Sequence, residues 1–293
     1  MKGIRLNFII DKLTLCYTTD EANYERLLNL NYEDYGEFVI KRCNDEDKFY
    51  RDSFVIYIKE IDNENGGIKY INFGCLKLNL LIEREYNNEN KYVWVYINNE
   101  CLYTNLYKNV NIIIYMDYIA DVLNIELNNV TSMDISLDSN INYAKRLKKA
   151  VFNDDLDIIL NGKLKNNKEE TLNEILYLHT ANRKRYTNLT VYIKQQSKDG
   201  FKLCLYDKSR ELEKSKKYYI SKWYQIDKNN FRSEIRLKAE HIKKYLLAIK
   251  CPLNMILLKL NEQEFLFNMF THFANRLIRF RDSRKNLYSF IDL

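Results

Sequence analysis

The sequence predicts an α+β fold, an antiparallel sheet with helices packed on one face and a strand-rich N-terminal region. From residue 129 onward, the hydrophobic pattern follows the order strand, helix, strand, strand, helix, strand, which suits such a sheet. Hydrophobic residues make up 46% of the 293-residue chain, which contains 7 glycines and 1 proline. The chain can therefore bury a sizeable core, as one large domain or two modest ones, and long flexible linkers are absent.

The first part of the chain reads mostly as strands. Alternation of apolar and polar residues predicts strands at 4–10, 37–42, 54–61, 68–82 and 91–97. A short helix is predicted near 20–30 and a turn at 63–67. Helical spacing predicts a longer helix over 111–125.

The later part of the chain alternates strands with helices. The predicted strands are 130–138, 188–195, 200–206 and 229–237. The predicted helices begin near residue 140 and just after residue 207, and span 169–179, 239–249 and 261–281. The expected domains are a strand-rich N-terminal region at 1–110, a central domain at 111–255 and a C-terminal basic helix at 256–293.

Two predicted strands place ionisable side chains opposite an apolar face. In VTSMDISLD, at 130–138, Asp134 and Asp138 share the polar face; Asp138 can instead cap the helix that follows. In FKLCLY, at 201–206, the alternation points Tyr206 away from the core, where a phenol could meet a substrate.

A third strand, FRSEIRLK at 231–238, carries a charged triplet. Its alternation places Arg232, Glu234 and Arg236 on one face, so that a carboxylate stands between two guanidiniums. Such a triplet could structure an active site or could merely pair internally.

The order of these motifs resembles the replication initiators of filamentous phages, of the gene II protein type, and more loosely the rolling-circle initiators of small plasmids. The resemblance covers roughly residues 110–255. It rests on SMDISLD before a helix, LTVYI at 189–193, YDKSREL at 206–212, and RSEIRLK at 232–238 leading into a helix. No single motif is specific, but their joint order and separations are much less likely to arise by chance.

The resemblance implies a rolling-circle DNA replication initiator, an endonuclease that nicks one strand of a phage or plasmid origin and can rejoin the ends. It assigns the nicking to the domain at 111–255. Tyr206 would be the nucleophile that keeps the 5′-phosphate, and Lys208 its electrostatic helper. Tyr192 is the nearest rival among 24 tyrosines.

Phosphoryl transfer also needs charge neutralised on the scissile phosphate, for which Mg²⁺ or Mn²⁺ is the expected cofactor. The candidate metal ligands are Asp134, Glu211 and Glu234. The alternative for Asp134 and Glu234 is an ion pair with Arg232 or Arg236. The chain lacks the His-hydrophobic-His pair through which many initiators of this broad class bind metal.

The basic charge is concentrated beside the motifs. The chain has a net charge of +6, divided as −5 over residues 1–150 and +11 over residues 151–293. A basic surface attracts polyanions, although a solvated surface would account for any one cluster. The predicted DNA contacts are Arg183, Lys184, Arg185, Arg232 and Arg236, and further basic clusters are Lys214, Lys216 and Lys217, and Arg276, Arg279, Arg281 and Arg284.

Other classes of protein are disfavoured. The 6 cysteines form no C-x-x-C pair, which argues against zinc and a disulfide framework. No apolar run reaches the length of a signal peptide or a membrane span, so a cytoplasmic protein is expected. The expected partners are single-stranded or supercoiled origin DNA, with a host helicase and polymerase. The alternatives are a non-catalytic, sequence-specific DNA-binding protein, an interaction protein whose basic half is incidental, and a mobilisation relaxase.

Overall fold

The computed structural model describes residues 6–43, 49–61, 66–80, 91–108, 112–165, 167, 171, 174–182, 185–194, 201–220 and 230–292. Among them the strands are β1 (Leu6–Thr19), β2 (Tyr32–Asp34), β3 (Phe38–Cys43), β4 (Tyr50–Ile61), β5 (Ile68–Leu80), β6 (Lys91–Ile97), β7 (Glu126–Ser139), β8 (Leu156–Leu160), β9 (Lys163–Lys165), β10 (Ile175–Asn182), β11 (Arg185–Ile193), β12 (Lys202–Asp207), β13 (Phe231–Lys238), β14 (Ile278–Asp282) and β15 (Leu287–Ser289).

The helices of the described residues are α1 (Glu21–Leu28), α2 (Asn99–Lys108), α3 (Ile112–Leu123), α4 (Tyr143–Val151), α5 (Lys208–Ser215), α6 (Ala239–Ala248), α7 (Ile256–Lys259) and α8 (Gln263–Leu277). Short 3₁₀ turns span Leu253–Met255 and Phe290–Asp292. None of these helices is long and apolar enough to cross a membrane.

The chain divides into two compact units. Unit 1 comprises Met1–Asp11, Met133–Tyr245 and Leu258–Leu293, and unit 2 comprises Lys12–Ser132 and Leu246–Leu257. These boundaries follow packing, so the functional division at residues 110 and 255 stays a prediction. All of the predicted site residues that the structure describes belong to unit 1.

Unit 2 is built on antiparallel strands whose neighbours run in the order β1, β6, β5, β4, β3, β2. Phe38 of β3 is fully buried and packs edge-on against Tyr118 of α3, with ring centroids 5.7 Å apart. Asp20 caps helix α1, and its side chain accepts from the Asn23 backbone N–H. The Asn23 amide in turn donates to the carbonyl of Leu123, at the end of α3, at 2.8 Å.

Unit 1 carries the strands in the order β10, β11, β12, β13, followed by β7 and β1. Strands β10 to β13 pair antiparallel. The residues of this segment predicted to face inward are Phe201, just before β12, and Leu203 and Leu205 on it, and all three are buried. Helix α8 packs against β12 and β13, and Phe273 of α8 meets Phe201 edge-on at 5.5 Å. The predicted class, an α+β fold with an antiparallel sheet and packed helices, is confirmed.

The C-terminal region differs from its prediction. The helix predicted over 261–281 ends at Leu277, and Ile278–Asp282 forms β14 instead. Strand β14 belongs to a second, four-stranded sheet of order β15, β14, β8, β9, which the sequence pattern does not predict. Ile278 and Phe280 are fully buried and alternate with two arginines, which is a strand period that the preceding helical pattern obscures.

The helix predicted at 169–179 is wrong from Ile175 onward. Ile175–Asn182 forms β10, which pairs antiparallel with β11. Short apolar runs fit helix and strand periods equally well. The backbone hydrogen bonds offered by β11, the strand that follows directly in the chain, decide between them.

We expect the substitution Gly74→Ala to destabilise unit 2. A Cβ atom at Gly74 would lie 2.2 Å from the carbonyl oxygen of Tyr96 on the neighbouring strand, so the paired backbones would have to separate. Overpacking of this kind costs about 1–3 kcal/mol, which urea unfolding would measure. Gly67→Ala is the matched control, because nothing lies within 4 Å of its added Cβ. Equal losses in the two variants would contradict the proposed clash.

Candidate active site

Three neighbouring strands of unit 1 bring the candidate side chains into rows. Tyr192, Cys204 and Glu234 lie opposite one another on β11, β12 and β13. Tyr206 lies opposite Arg232, two residues further along. Because side chains two residues apart point to the same side of a sheet, both rows share one face. Diagonal neighbours on antiparallel strands are within reach of long side chains, so this register lets Tyr206 reach Glu234.

The Tyr206 hydroxyl donates a hydrogen bond to Glu234 Oε2 at 3.0 Å. Glu234 is 2% exposed, and its other oxygen, Oε1, accepts from Nε of Arg236 at 2.7 Å. Burial raises the pKa of Tyr206 well above its ordinary value; Arg232 opposes the rise and Glu234 adds to it. The phenol therefore keeps its proton at neutral pH, and Glu234 is the group placed to accept that proton when the oxygen reacts.

Tyr192, the rival nucleophile, has a different partner. Its side chain interacts with the thiol of Cys204, and burial raises the pKa of Tyr192 above its ordinary value. Burial also raises the pKa of Cys204 to about 12, so at neutral pH this thiol is protonated and is a poor proton acceptor. The two tyrosines therefore share a face but differ in the base beside them.

Arg236 joins two of the predicted acidic residues. Its Nε lies 2.7 Å from Glu234 Oε1 and 3.5 Å from Asp134 Oδ2 on β7. This is the ion pair that the strand pattern left open as the alternative to metal binding. The Arg236 side chain is 46% exposed, so it keeps surface from which it can also meet a ligand.

Arg232 lies on the same face of the sheet as Tyr206 and Glu234 and is buried there. Its Nε and Nη2 each bind a different oxygen of Asp138 at 2.7 Å, a bidentate pair. Its Nη1 binds Asp11 Oδ1 on β1 at 2.6 Å. None of the Arg232 side chain is exposed, so a DNA contact of the kind predicted for it would require the guanidinium to leave both carboxylates. Asp138 does not cap α4, whose N-cap is Asn142.

Lys208 is the first residue of helix α5, which follows directly after β12, the strand that carries Tyr206. Asp207 caps this helix by accepting from the Arg210 backbone N–H. Lys208 is buried, its Nζ lies 2.6 Å from Glu211 Oε2, and it stands 5.9 Å from the centroid of the Tyr206 ring. Burial lowers the pKa of Lys208, and Arg232 lowers it further. The α5 N-terminus thus delivers a cation next to Tyr206.

A cavity of about 420 Å³ opens over these side chains. Both tyrosines line it, together with five cationic side chains. The sequence-based predictions include four of the five and miss Arg210. Arg210 and Lys214 lie four residues apart on α5, a spacing that puts them on one helix face and that was visible in the sequence. The charged lining residues are Lys208, Arg210, Lys214, Lys217 and Arg236, and Asp11, Asp207, Glu211 and Glu234.

The other predicted DNA contacts are placed only in part. Arg183 and Lys184 lie outside the described residues, and Arg185 begins β11. Of the predicted DNA contacts that the structure describes, Arg236 is the one that lines the cavity.

The carboxylates predicted to hold Mg²⁺ or Mn²⁺ are each paired with a cation of the protein. Arg236 binds Asp134 and Glu234, and Lys208 binds Glu211. Across the described residues, no group of three or more His, Cys, Asp or Glu side chains is placed to hold a metal ion. The residues as placed therefore do not fit a three-carboxylate centre, and metal dependence stays a prediction.

We expect Arg232→Met to destabilise unit 1 strongly. The substitution keeps an apolar stem but leaves Asp138, which is 2% exposed, without its bidentate partner. Breaking a buried pair in this way costs about 3–5 kcal/mol, which urea unfolding would measure. Lys244→Met is the control, because its pair with Glu240 is exposed and such pairs contribute about 0–1 kcal/mol. Similar losses in both variants would show that the buried network contributes little.

Comparison with known proteins finds a structural likeness. No protein-family model matches the chain, and no curated protein matches it. The structure is similar to that of the rolling circle replication initiator protein from Geobacillus stearothermophilus, with 12% sequence identity and a TM-score of 0.47 over 94% of this chain and 87% of that one. A likeness at this level carries no argument about activity, so the function proposed below rests on the residues of the site.

Proposed function

We propose that this protein initiates rolling-circle DNA replication by nicking one strand at an origin, with Tyr206 as the nucleophile. The observation that carries the proposal is the hydrogen bond from the Tyr206 hydroxyl to Glu234, 3.0 Å long, in a cavity lined by five cationic side chains. A nucleophile, a base in contact with it and a surface for a polyanion are the parts that phosphoryl transfer to tyrosine needs.

The reaction conserves the energy of the phosphodiester bond. Glu234 accepts the phenol proton as the Tyr206 oxygen attacks phosphorus. The bond between phosphorus and the 3′ oxygen breaks and the 5′-phosphate stays on Tyr206. The 3′ oxygen leaves on the side opposite the attacking phenol and takes up a proton from water, to which Glu234 releases the proton it accepted. The free 3′-hydroxyl can prime a polymerase, and the reverse of these steps rejoins the ends.

The cations around Tyr206 stabilise the charge that develops on the phosphate. Lys208 stands beside the Tyr206 ring, and Arg236 holds Glu234 in place while lining the cavity. Fixed charges in a partly buried site stabilise a transition state more than they would in water. We also propose that the nicking reaction requires Mg²⁺ or Mn²⁺, although proton transfer from Tyr206 to Glu234 does not involve the metal.

The proposed substrate is the protein's own origin, as single-stranded or supercoiled DNA, in the cytoplasm of a phage- or plasmid-bearing host. A nick must be followed by strand separation and synthesis, so a host helicase and polymerase are the proposed partners. A mobilisation relaxase would use the same chemistry at a transfer origin. A non-catalytic DNA-binding protein would bind the origin without forming a covalent bond.

We expect the wild-type protein, incubated with origin DNA and Mg²⁺ or Mn²⁺, to form a protein–DNA adduct that survives denaturation. Tyr206→Phe removes the attacking oxygen and should lower adduct formation by roughly three orders of magnitude or more, with folding and DNA binding retained. Gel electrophoresis of labelled DNA measures the adduct, and parallel reactions with a chelator test the metal requirement.

Tyr192→Phe is the matched control for this experiment. Tyr192 lies on the same face and lines the same cavity, but its hydroxyl interacts with the Cys204 thiol, whereas that of Tyr206 donates to a carboxylate. Loss of the Tyr192 hydroxyl should therefore leave the adduct within about twofold. Adduct lost with Tyr192→Phe and kept with Tyr206→Phe would move the nucleophile. No adduct from the wild type under any metal would favour the non-catalytic protein.

We also expect the adduct rate to fall at alkaline pH. Burial lowers the pKa of Lys208 below its ordinary value, so the helper cation is present below that lowered pKa and is lost as the pH rises through it. Lys208→Arg keeps its charge over this range and should remove the decline. The pH profile of the initial rate, measured on both proteins, is the test. The same decline in both would assign the effect to another group.

A further inference from the structure

A second cavity in unit 1, of about 460 Å³, shares no lining residue with the first. It is bordered by the turn between β8 and β9, the end of β11, the last turns of α8 and the start of β14. Its polar side chains are Asn161, Lys194, His272, Asn275, Arg276 and Arg279. Among the described residues that line it, none carries a carboxylate.

The cations of this cavity are held close together by an aromatic ring. Lys194 Nζ lies 5.3 Å from the centroid of the Phe201 ring, and Arg276 Cζ lies 5.9 Å from the same centroid. Both positive groups are attracted to one ring while repelling each other. Burial lowers the pKa of the neighbouring His272, and Arg276 lowers it further. The local potential is therefore positive, and an anion would relieve the repulsion.

Two buried polar atoms of the same cavity residues have no hydrogen-bond partner within the described part of the chain. They are Nε of Arg279, a donor, and Oδ1 of Asn275, an acceptor. Buried polar groups are nearly always paired, so each such exception requires an explanation. Arg276 lies in the last turn of α8, where the helix dipole favours a cation, but this structural role accounts for neither Arg279 Nε nor Asn275 Oδ1.

We propose that this cavity binds one nucleotide unit of a nucleic-acid strand, with its phosphate on Arg276 and Arg279 and a base hydrogen-bond donor on Asn275. A nucleotide supplies both an anion and an N–H donor, which are what the cations and the two unpaired atoms lack. The volume also falls in the range of small-molecule sites and exceeds what a phosphate alone needs. The site requires DNA binding but not the nicking reaction.

The test measures binding of a fluorescent oligothymidylate by anisotropy over a series of salt concentrations, with all variants made in the Tyr206→Phe protein so that no cleavage occurs. Arg279→Ala should weaken binding about tenfold and lower the slope of log affinity against log salt by about 0.7, the value for one phosphate contact on a single strand. Unlabelled thymidine monophosphate, added as a competitor, should bind more weakly than the oligonucleotide.

Two further variants separate a built site from surface charge. Asn275→Asp is nearly isosteric, so it should fold even if Arg279→Ala does not, and its carboxylate should repel the phosphate and weaken binding about tenfold. Arg281→Ala lowers the net charge by the same amount on the same strand, but its guanidinium is already paired with Asp157 at 2.7 Å. It should leave affinity within about twofold.

Three results would overturn the proposal: no binding of the oligonucleotide, equal losses in Asn275→Asp and Arg281→Ala, or binding of the mononucleotide alone. A wild-type protein that forms no covalent adduct while the oligonucleotide still binds through Asn275 and Arg279 would reject the nicking mechanism and support this site. Adduct formation without any effect of these variants would do the opposite.

Discussion

The buried guanidinium of Arg232 is the interaction on which the candidate site depends. It comes from β13 and binds Asp138 on β7 and Asp11 on β1, so three strands of unit 1 meet at one charged group. A charge removed from water is tolerated only when its partners satisfy it. The bidentate pair with Asp138 and the single bond to Asp11 use all three guanidinium nitrogens. These bonds fix the position of β13 and so help to place Tyr206 beside Glu234.

The same guanidinium sets the electrostatics of the residues proposed to react. Burial raises the pKa of Tyr206 and Arg232 opposes that rise, while both burial and Arg232 lower the pKa of Lys208. A buried cation thus favours the phenolate and disfavours a second cation. Arg232 touches no substrate in this arrangement, yet it tunes the two groups that would.

Strand β12 connects the two candidate cavities through its two faces. Cys204 and Tyr206 face the first cavity, whereas Phe201, just before the strand, borders the second and packs against α8. The face with the apolar residues anchors the strand in the core, and that anchoring fixes where the opposite face presents its hydroxyl. A strand buried on one side is well suited to holding a reactive group in position.

The sequence by itself determined the alternation of β12 and β13, and with it the shared face of Tyr206 and Glu234, because a period of two is a local property of the chain. It also determined the α+β class.

Only the tertiary structure decided which acid meets which cation. Strand β1 continues through Asp11, where the predicted strand has already ended, and the Asp11 carboxylate pairs with Arg232, 221 positions away. Likewise β10 is a strand because β11 offers it hydrogen bonds, and β14 is a strand because β8 does. Asp11 and Arg232 are distant in sequence, as are β8 and β14, and such pairs leave no local pattern, so only folding reveals them.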